Sequence, residues 1–221
     1  MLRFNLRAIR DKRRALGRGA FVPSSVQVLG WRHVRVGDYS MICEGTCVNI
    51  NHPRLSVVIG RHCFIGRDNF ISSGEMVQFG DYCLTTTGCH FLGADHVYSD
   101  PFTPYLAAGT TEGGRIEIGA NCWFGCASTV LKGVSVGFGS VIAARALVTT
   151  SIPPFSVAAG FPARVVKRFD PVSRRWLKPA EFTAAMEQAM PDEAAYVDGL
   201  RKNHPRLRGW IGNTGASFGD M

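Results

Sequence analysis

From Ile118 to Val148 an aliphatic or aromatic residue recurs every six positions: Ile118, Phe124, Val130, Val136, Ile142, Val148. Gly119, Gly125 and Gly137 follow three of these lead residues directly. An amphipathic helix repeats its apolar positions at three and four residues and a half-buried strand at two, so neither accounts for a period of six. A sustained hexad is the mark of a β-solenoid, in which each repeat is one short strand plus one turn. The lead residue then points into the coil, and the glycine serves a tight turn or a close backbone approach.

The rhythm extends upstream with interruptions. It starts at Val36, runs through Ile42 and Val48, and breaks over Asn49–Ser56, which contains Pro53. It resumes at Ile59, Ile65, Ile71 and Val77, slips by two residues, and continues at Phe79, Thr85 and Phe91. Residues 97–115, with Pro101, Pro104, Gly109, Gly113 and Gly114, carry no hexad and read as a protruding loop. Ile152-Pro153-Pro154 is expected to end sheet pairing, because proline offers no backbone donor. Past Asp170-Pro171 the pattern turns helical, with proline and acidic starts predicting helices over Pro179–Met190 and Pro191–Asn203 and a loose tail from Gly209. The organisation expected is a basic arm and imperfect first coil over 1–35, a solenoid over 36–168, and a helical extension over 169–221.

Charge and cysteine usage narrow the setting. Residues 1–20 hold seven of the 25 basic residues against the single acid Asp11, a short basic helix ended by Gly17 and Gly19. It reads either as a solvated helix or as a contact for an anionic partner such as a membrane surface. Aromatics are not interleaved with the basics and no nucleic-acid motif is present, so a nucleic-acid partner is not expected. Counting the lead residue as position one, Cys63, Cys83, Cys89 and Cys122 all occupy position five, a column shared with Ser40, Thr46, Ser128, Val134, Ser140 and Ala146. That column predicts small buried thiols rather than disulfides or zinc ligands. No apolar run matches a membrane span and no signal-like segment opens the chain, which points to the cytoplasm, with peripheral membrane contact through the basic arm.

Several strings within this frame are specific. They are Ile118-Gly119-Ala120-Asn121-Cys122-Trp123-Phe124-Gly125, Leu131-Lys132-Gly133-Val134-Ser135-Val136-Gly137, Val148-Thr149-Thr150-Ser151-Ile152-Pro153-Pro154 and Ala159-Gly160-Phe161-Pro162-Ala163-Arg164-Val165-Val166. Together they resemble the C-terminal signature of hexapeptide-repeat acyltransferases, of the sugar and polysaccharide O-acetyltransferase type. The resemblance covers about residues 36–168. It implies a left-handed parallel β-helix of triangular section, a homotrimer, and acetyl-CoA as acyl donor bound between subunits, with no metal.

Acyl transfer to a hydroxyl requires removal of the acceptor proton, a task suited to histidine. Of six histidines, His96 stands where the last hexad gives way to the loop. Its string Leu92-Gly93-Ala94-Asp95-His96-Val97-Tyr98-Ser99-Asp100-Pro101 is similar to the family's catalytic segment, which implies that His96 is the general base. A second histidine found two residues earlier in many relatives is Ala94 here. Asp95, pointing away from the ring on a strand, is expected to contact a sugar hydroxyl or cap a turn. Glu75, Glu112 or a backbone carbonyl could orient the imidazole, and Glu75 is, with Asp95, a candidate contact to the acceptor. His90 reads as structural, one hexad and therefore one face away.

The resemblance carries cofactor contacts onto Trp123, Cys126, Ala144, Thr149 and Lys167, with Lys167 or Arg168 facing the CoA phosphates. Trp123 reads equally well as packing. Two departures bear on this groove: Ala143-Ala144-Arg145-Ala146 replaces the family's Gly-Ala-Gly-Ser, and Thr150 replaces a common lysine. The function expected is O-acetylation of a sugar or glycan hydroxyl. The alternatives are N-acetylation of an amino sugar and a non-catalytic scaffold; a zinc hydrolyase of the carbonic anhydrase type needs three interfacial histidines, which the spacing here fits poorly.

Overall fold

The computed structural model describes residues 2–51, 56–111 and 113–204, with side chains from residue 7 onward. Pro53, Glu112 and the tail from Gly209 lie outside the described residues. The chain opens with helix α1 (Leu2–Ala15) and then winds six coils of a left-handed parallel β-helix. The first coil contributes β1 (Gln27–Val28), and the second β2 (Val34–Val36), β3 (Met41–Ile42) and β4 (Cys47–Ile50). The third holds β5 (Val57–Ile59), β6 (Phe64–Ile65) and β7 (Phe70–Ser73), and the fourth β8 (Val77–Phe79), β9 (Leu84–Thr85) and β10 (His90–Leu92). The fifth holds β11 (Ile116–Ile118), β12 (Trp123–Phe124) and β13 (Thr129–Leu131), and the sixth β14 (Ser135–Val136), β15 (Val141–Ile142) and β16 (Leu147–Val148). Each coil places one strand on each of three sheets: face I (β2-β5-β8-β11-β14), face II (β3-β6-β9-β12-β15) and face III (β1-β4-β7-β10-β13-β16).

The hexad rule sets this geometry. Every lead residue from Val36 to Val148 is at most 3% exposed. Phe79, Phe91 and Phe124 form an edge-to-face pillar through the middle of the core, with ring centroids 4.8 and 5.2 Å apart. Glycine at position two is needed for close approach: a Cβ on Gly37 would lie 2.5 Å from the Gly60 carbonyl oxygen of the next coil. The corner itself turns at position four, where Tyr39, His62, Asp68, Tyr82, Asn121, Ala127 and Arg145 all adopt positive φ. Position five is the buried small column, and its side chains bond backbone between coils. The Ser40 hydroxyl donates to the Gly60 carbonyl at 2.6 Å, and the Cys63 and Cys122 thiols to those of Gly80 and Gly137 at 3.1 and 3.2 Å. All seven cysteines carry free thiols.

All breaks in phase fall on one edge of the prism, where face III passes to face I. Residues 51–56, 74–76 and 93–115 each connect a face III strand to a face I strand. The two-residue slip near Val77 is taken up there, and Val77 and Phe79 share β8.

Both ends of the solenoid are capped. At the start, Ala15 is buried, and the Lys12 ammonium donates to the Val22 carbonyl at 2.8 Å and lies over the Trp31 ring. Leu16 and Phe21 bridge to Val36 and Met41, which makes residues 16–33 a true first coil. At the far end Pro153-Pro154 does not stop pairing: β17 (Ser156–Gly160) continues face II in parallel with β15. The prolines sit in the corner, where their missing N–H groups cost no ladder bond, and Pro153 still accepts from the Ser140 hydroxyl at 3.1 Å. The chain then turns back as antiparallel β18 (Ala163–Asp170) and β19 (Arg175–Leu177). The region after 168 therefore begins as sheet, and helical structure follows as a 3-10 turn at Pro179–Glu181, then α3 (Ala184–Gln188) and α4 (Glu193–Asn203). α4 docks on the edge between faces I and II. The Ala120 amide donates to Glu193 at 2.6 Å, Arg201 pairs with Asp81 at 3.0 Å, and Tyr196 packs on Phe138 and Phe155. No helix among the described residues is long and apolar enough to cross a membrane.

Candidate active site

The excursion over 93–115 leaves the solenoid as two antiparallel arms. The Thr111 amide donates to the Asp95 carbonyl at 2.8 Å, His96 bridges Thr110, and the Val97 amide donates to the Gly109 carbonyl at 3.0 Å. At the tip, Asp100 accepts from the Phe102 amide at 2.9 Å and the Thr103 hydroxyl at 2.7 Å, and a short helix, α2 (Tyr105–Ala108), turns the chain back. Phe102 and Leu106 project there almost fully exposed.

His96 sits at the root of the outgoing arm with its imidazole exposed, and no group among the described residues hydrogen-bonds the ring. The nearby acids are engaged elsewhere. Asp95 accepts the His96 backbone N–H at 2.9 Å and pairs with Lys132 at 3.6 Å, so its carboxylate braces the turn. Glu75 pairs with Arg115 at 3.6 Å, and Arg115 also holds Glu117 at 3.0 Å. Of the three orienting groups expected from sequence, Glu75 is thus committed to an arginine and Glu112 is outside the described residues. His90 begins β10 on face III, one hexad before His96, with its ring tilted against Phe70.

The residues expected to meet the cofactor lie elsewhere on the prism. Trp123 is 48% exposed on face II, in register with Leu84 and Val141 on neighbouring coils. With Met41 and Phe64 these side chains make an apolar outward row, in contrast to Arg35, Gln78, Glu117 and Ser135 on face I. Cys126 and Ala144 are stacked and exposed on the edge between faces II and III. Hydrogen bonding with Thr86 and Thr87 holds the Cys126 thiol below the usual thiol range. Thr149 follows β16 on the III-to-I edge, the edge that carries His96, and Lys167 is exposed on β18. Arg168 is not free for a phosphate: it bonds Glu187 at 2.8 Å and stacks over Phe182. One chain therefore brings His96 and Thr149 to one edge but does not bring Trp123, Cys126 or Ala144 to it.

These surfaces suit a thioester donor in two respects. Cys126 and Ala144 leave the edge open to a slender pantetheine-like arm, and Lys167 is an exposed cation with no ion pair among the described residues. Sequence reading missed Lys132 and Thr111. Lys132 stands in the turn between β13 and β14, and its ammonium donates to the Thr111 hydroxyl at 3.1 Å. No local pattern signals this contact, because it depends on the register of the returning arm.

No protein-family model matches the chain. A probable acetyltransferase of Mycobacterium tuberculosis is 32% identical over 157 residues, covering 69% of this chain and 49% of the relative. A chloramphenicol acetyltransferase of Agrobacterium fabrum is 33% identical over 144 residues, covering 61% of this chain and 65% of the relative. The chain thus spans about half to two thirds of the length of these relatives. In structure, the N-acyltransferase AntD from Bacillus cereus, solved with coenzyme A and an amino sugar nucleotide, superposes with a TM-score of 0.63 at 16% identity, over 75% of this chain and 91% of that one. A maltose O-acetyltransferase from Clostridium difficile gives 0.51 at 22% identity, over 71% of each chain. The solenoid is the fold of the hexapeptide-repeat acyltransferases, and the sequence relatives carry acetyltransferase names.

Proposed function

We propose that this chain transfers an acetyl group from acetyl-CoA to a hydroxyl of a sugar or glycan, with His96 as the general base. The observation that carries this reading is the state of His96 itself. Its imidazole is exposed at the root of an ordered excursion, and the carboxylates of Asp95 and Glu75 are ion-paired with Lys132 and Arg115. An imidazole with no ring hydrogen bond to the described residues is placed to accept the hydroxyl proton as the oxygen attacks the thioester carbonyl. The new C–O bond forms, the C–S bond breaks, and the CoA thiolate leaves and recovers a proton. An amine acceptor, once neutral, has less need of a base for its attack, which favours hydroxyl over amino transfer. Likeness to sugar acyltransferases supports a sugar acceptor. The likeness to a chloramphenicol acetyltransferase supports a second reading, a small non-sugar alcohol.

The cofactor groove in this reading lies between copies of a homotrimer. His96 on one edge and Trp123, Cys126 and Ala144 on face II and its far edge belong to opposite walls of a cleft that two adjacent prisms would close. Lys167 reaches the phosphates, and Thr149 the edge beside His96. Light scattering of the purified chain tests the assembly, and a monomer at working concentration refutes the shared cleft. The exposed arginines Arg7, Arg10 and Arg14 of α1 supply a contact for an anionic membrane surface. Their replacement by glutamine, which spares the cap formed by Lys12 and Ala15, should abolish binding to vesicles rich in anionic lipid; unchanged binding sinks that contact.

The central test is an acceptor screen that follows thiol release from acetyl-CoA over sugars, amino sugars and small alcohols. His96→Ala should lower kcat by roughly 100- to 10,000-fold on the acceptor found, with the fold intact. A variant that retains near wild-type turnover refutes the general-base assignment.

A further inference from the structure

We propose that Lys132 is a positioning residue for His96, a latch that ties both arms of the excursion to the next coil. The inference rests on the reading of His96 as the base. The geometry is local and complete. The Lys132 ammonium donates to the Thr111 hydroxyl of the returning arm at 3.1 Å and pairs with Asp95 of the outgoing arm at 3.6 Å. Asp95 then passes the restraint on twice. Its carboxylate accepts the His96 backbone N–H at 2.9 Å, and its carbonyl accepts the Thr111 amide at 2.8 Å and the Thr111 hydroxyl at 3.3 Å.

The need for such a restraint follows from the fold. The excursion is the longest interruption of the solenoid, and its tip residues Phe102 and Leu106 are 96% and 93% exposed. Antiparallel bonds between the arms hold them to each other but not to the coil. Lys132 projects from the turn between β13 and β14, and β13 pairs directly with β10, the strand from which the excursion departs. Lys132 directly follows that paired ladder, so its ammonium ties the loop root to a rigid frame. Misplacement of a catalytic group by about 1 Å can cost on the order of 100-fold in rate. An exposed ion pair adds little to global stability, so the latch acts on local order rather than on folding.

The test compares Lys132→Met, Lys132→Arg, Asp95→Asn and the Lys132→Met/Asp95→Asn pair in the full chain. Amide exchange over residues 93–97 and 109–111 is read alongside steady-state kinetics. Lys132→Met should leave the unfolding midpoint unchanged, accelerate exchange in both arms by roughly tenfold, and lower kcat by at least about tenfold with KM for acetyl-CoA within about twofold. Lys132→Arg should restore both readouts, since a guanidinium reaches the same two acceptors. The paired variant should be no slower than Lys132→Met alone, because both changes cut one connection. Unchanged exchange in Lys132→Met overturns the latch. Accelerated exchange with unchanged kcat overturns its role in positioning, and a rise in KM alone makes Lys132 a substrate contact instead. If the wild-type chain acetylates nothing, the transferase reading fails, while the exchange data still decide whether the latch exists.

Discussion

Asn69 gives the sharpest stability prediction. It occupies position five of its hexad, the column otherwise filled by Ser, Thr, Cys, Ala and Val134, and it is 1% exposed. Its side-chain oxygen accepts the Cys89 amide at 2.7 Å, and its amide nitrogen donates to Gly66 O at 2.8 Å, Thr85 Oγ1 at 3.0 Å and Thr86 O at 3.1 Å. One side chain thus bonds two successive coils. In Asn69→Ala the Gly66 carbonyl keeps the Thr46 hydroxyl at 2.9 Å, but the Cys89 amide loses its acceptor inside the core. A buried orphan donor costs about 1–3 kcal/mol, and the small void left by the amide about 1 kcal/mol more. The sum, about 3 kcal/mol, corresponds to a fall in Tm of roughly 10 °C for a chain of this size. Asn69→Asp should cost more than Asn69→Ala at neutral pH, because a carboxylate brings no donor to three facing oxygens. Guanidinium unfolding at fixed protein concentration measures both, since concentration enters if the chain assembles. Asn69→Ala within about 0.5 kcal/mol of wild type would refute the claim that this column holds the coils together through hydrogen bonds.

Two further perturbations read the titratable groups. His62 is stacked between Tyr39 and Tyr82 with Nδ1 buried and unbonded, and burial lowers its pKa, opposed by Asp81 and Asp38 and reinforced by Arg61 and Arg201. The unfolded chain therefore takes up the proton first, and stability present at pH 7 is lost as pH falls below about 6.5 toward the lower folded value. His62→Asn, which tolerates the positive φ of that position, should show a flatter profile between about pH 7 and 5; identical slopes would exclude His62 as the source. Cys126 should react first with iodoacetamide in the native chain, ahead of buried Cys63 and Cys83, whose thiols burial raises well above the usual range. Thr86→Val should slow that reaction, and mass spectrometry of labelled peptides decides it.

The solenoid was legible because its rule is one-dimensional. A lead residue each sixth position and a small residue four places later suffice to place Ile42, Phe91 or Cys122 inside, whatever the neighbouring coil contains. What a single hexad cannot express is contact between coils. The glycine at position two and the turn at position four look interchangeable in sequence, yet Gly37 is required by the Gly60 backbone beneath it while Tyr39, a non-glycine, takes the positive φ. Pro153-Pro154 was misread for the same reason, since a proline ends a strand only where its N–H would have paired. The strand β18 escaped detection because its outward face, Arg164, Val166 and Lys167, is solvated and its partner is the antiparallel β17, which shares no six-residue phase.

The site was legible to the degree that it is local. His96 is singled out as the candidate base by its own string and by its place at the end of a hexad run. Its surroundings do not, because Lys132 reaches Asp95 across a coil and an excursion whose return register no sequence pattern sets. The residues proposed to meet the cofactor show the opposite limit. Trp123, Cys126, Ala144 and Thr149 occupy readable hexad positions, so the face or edge of each could be counted from the period alone. Three of the four count to face II or its border with face III, and His96 counts to the edge between faces III and I. A donor that touches both groups must either cross the whole of face III or lie between two chains. Face III carries Phe70, His90 and Leu147 outward along that path, with no row of cations to guide phosphates. The outward apolar row Met41, Phe64, Leu84 and Trp123 on face II, by contrast, is the kind of surface a second copy covers. The shared cleft rests on the cofactor contacts that the resemblance implies, and the hexad arithmetic adds only that those residues and His96 stand on different edges, so measurement of the oligomeric state bears on the cofactor assignment as directly as any substitution within it.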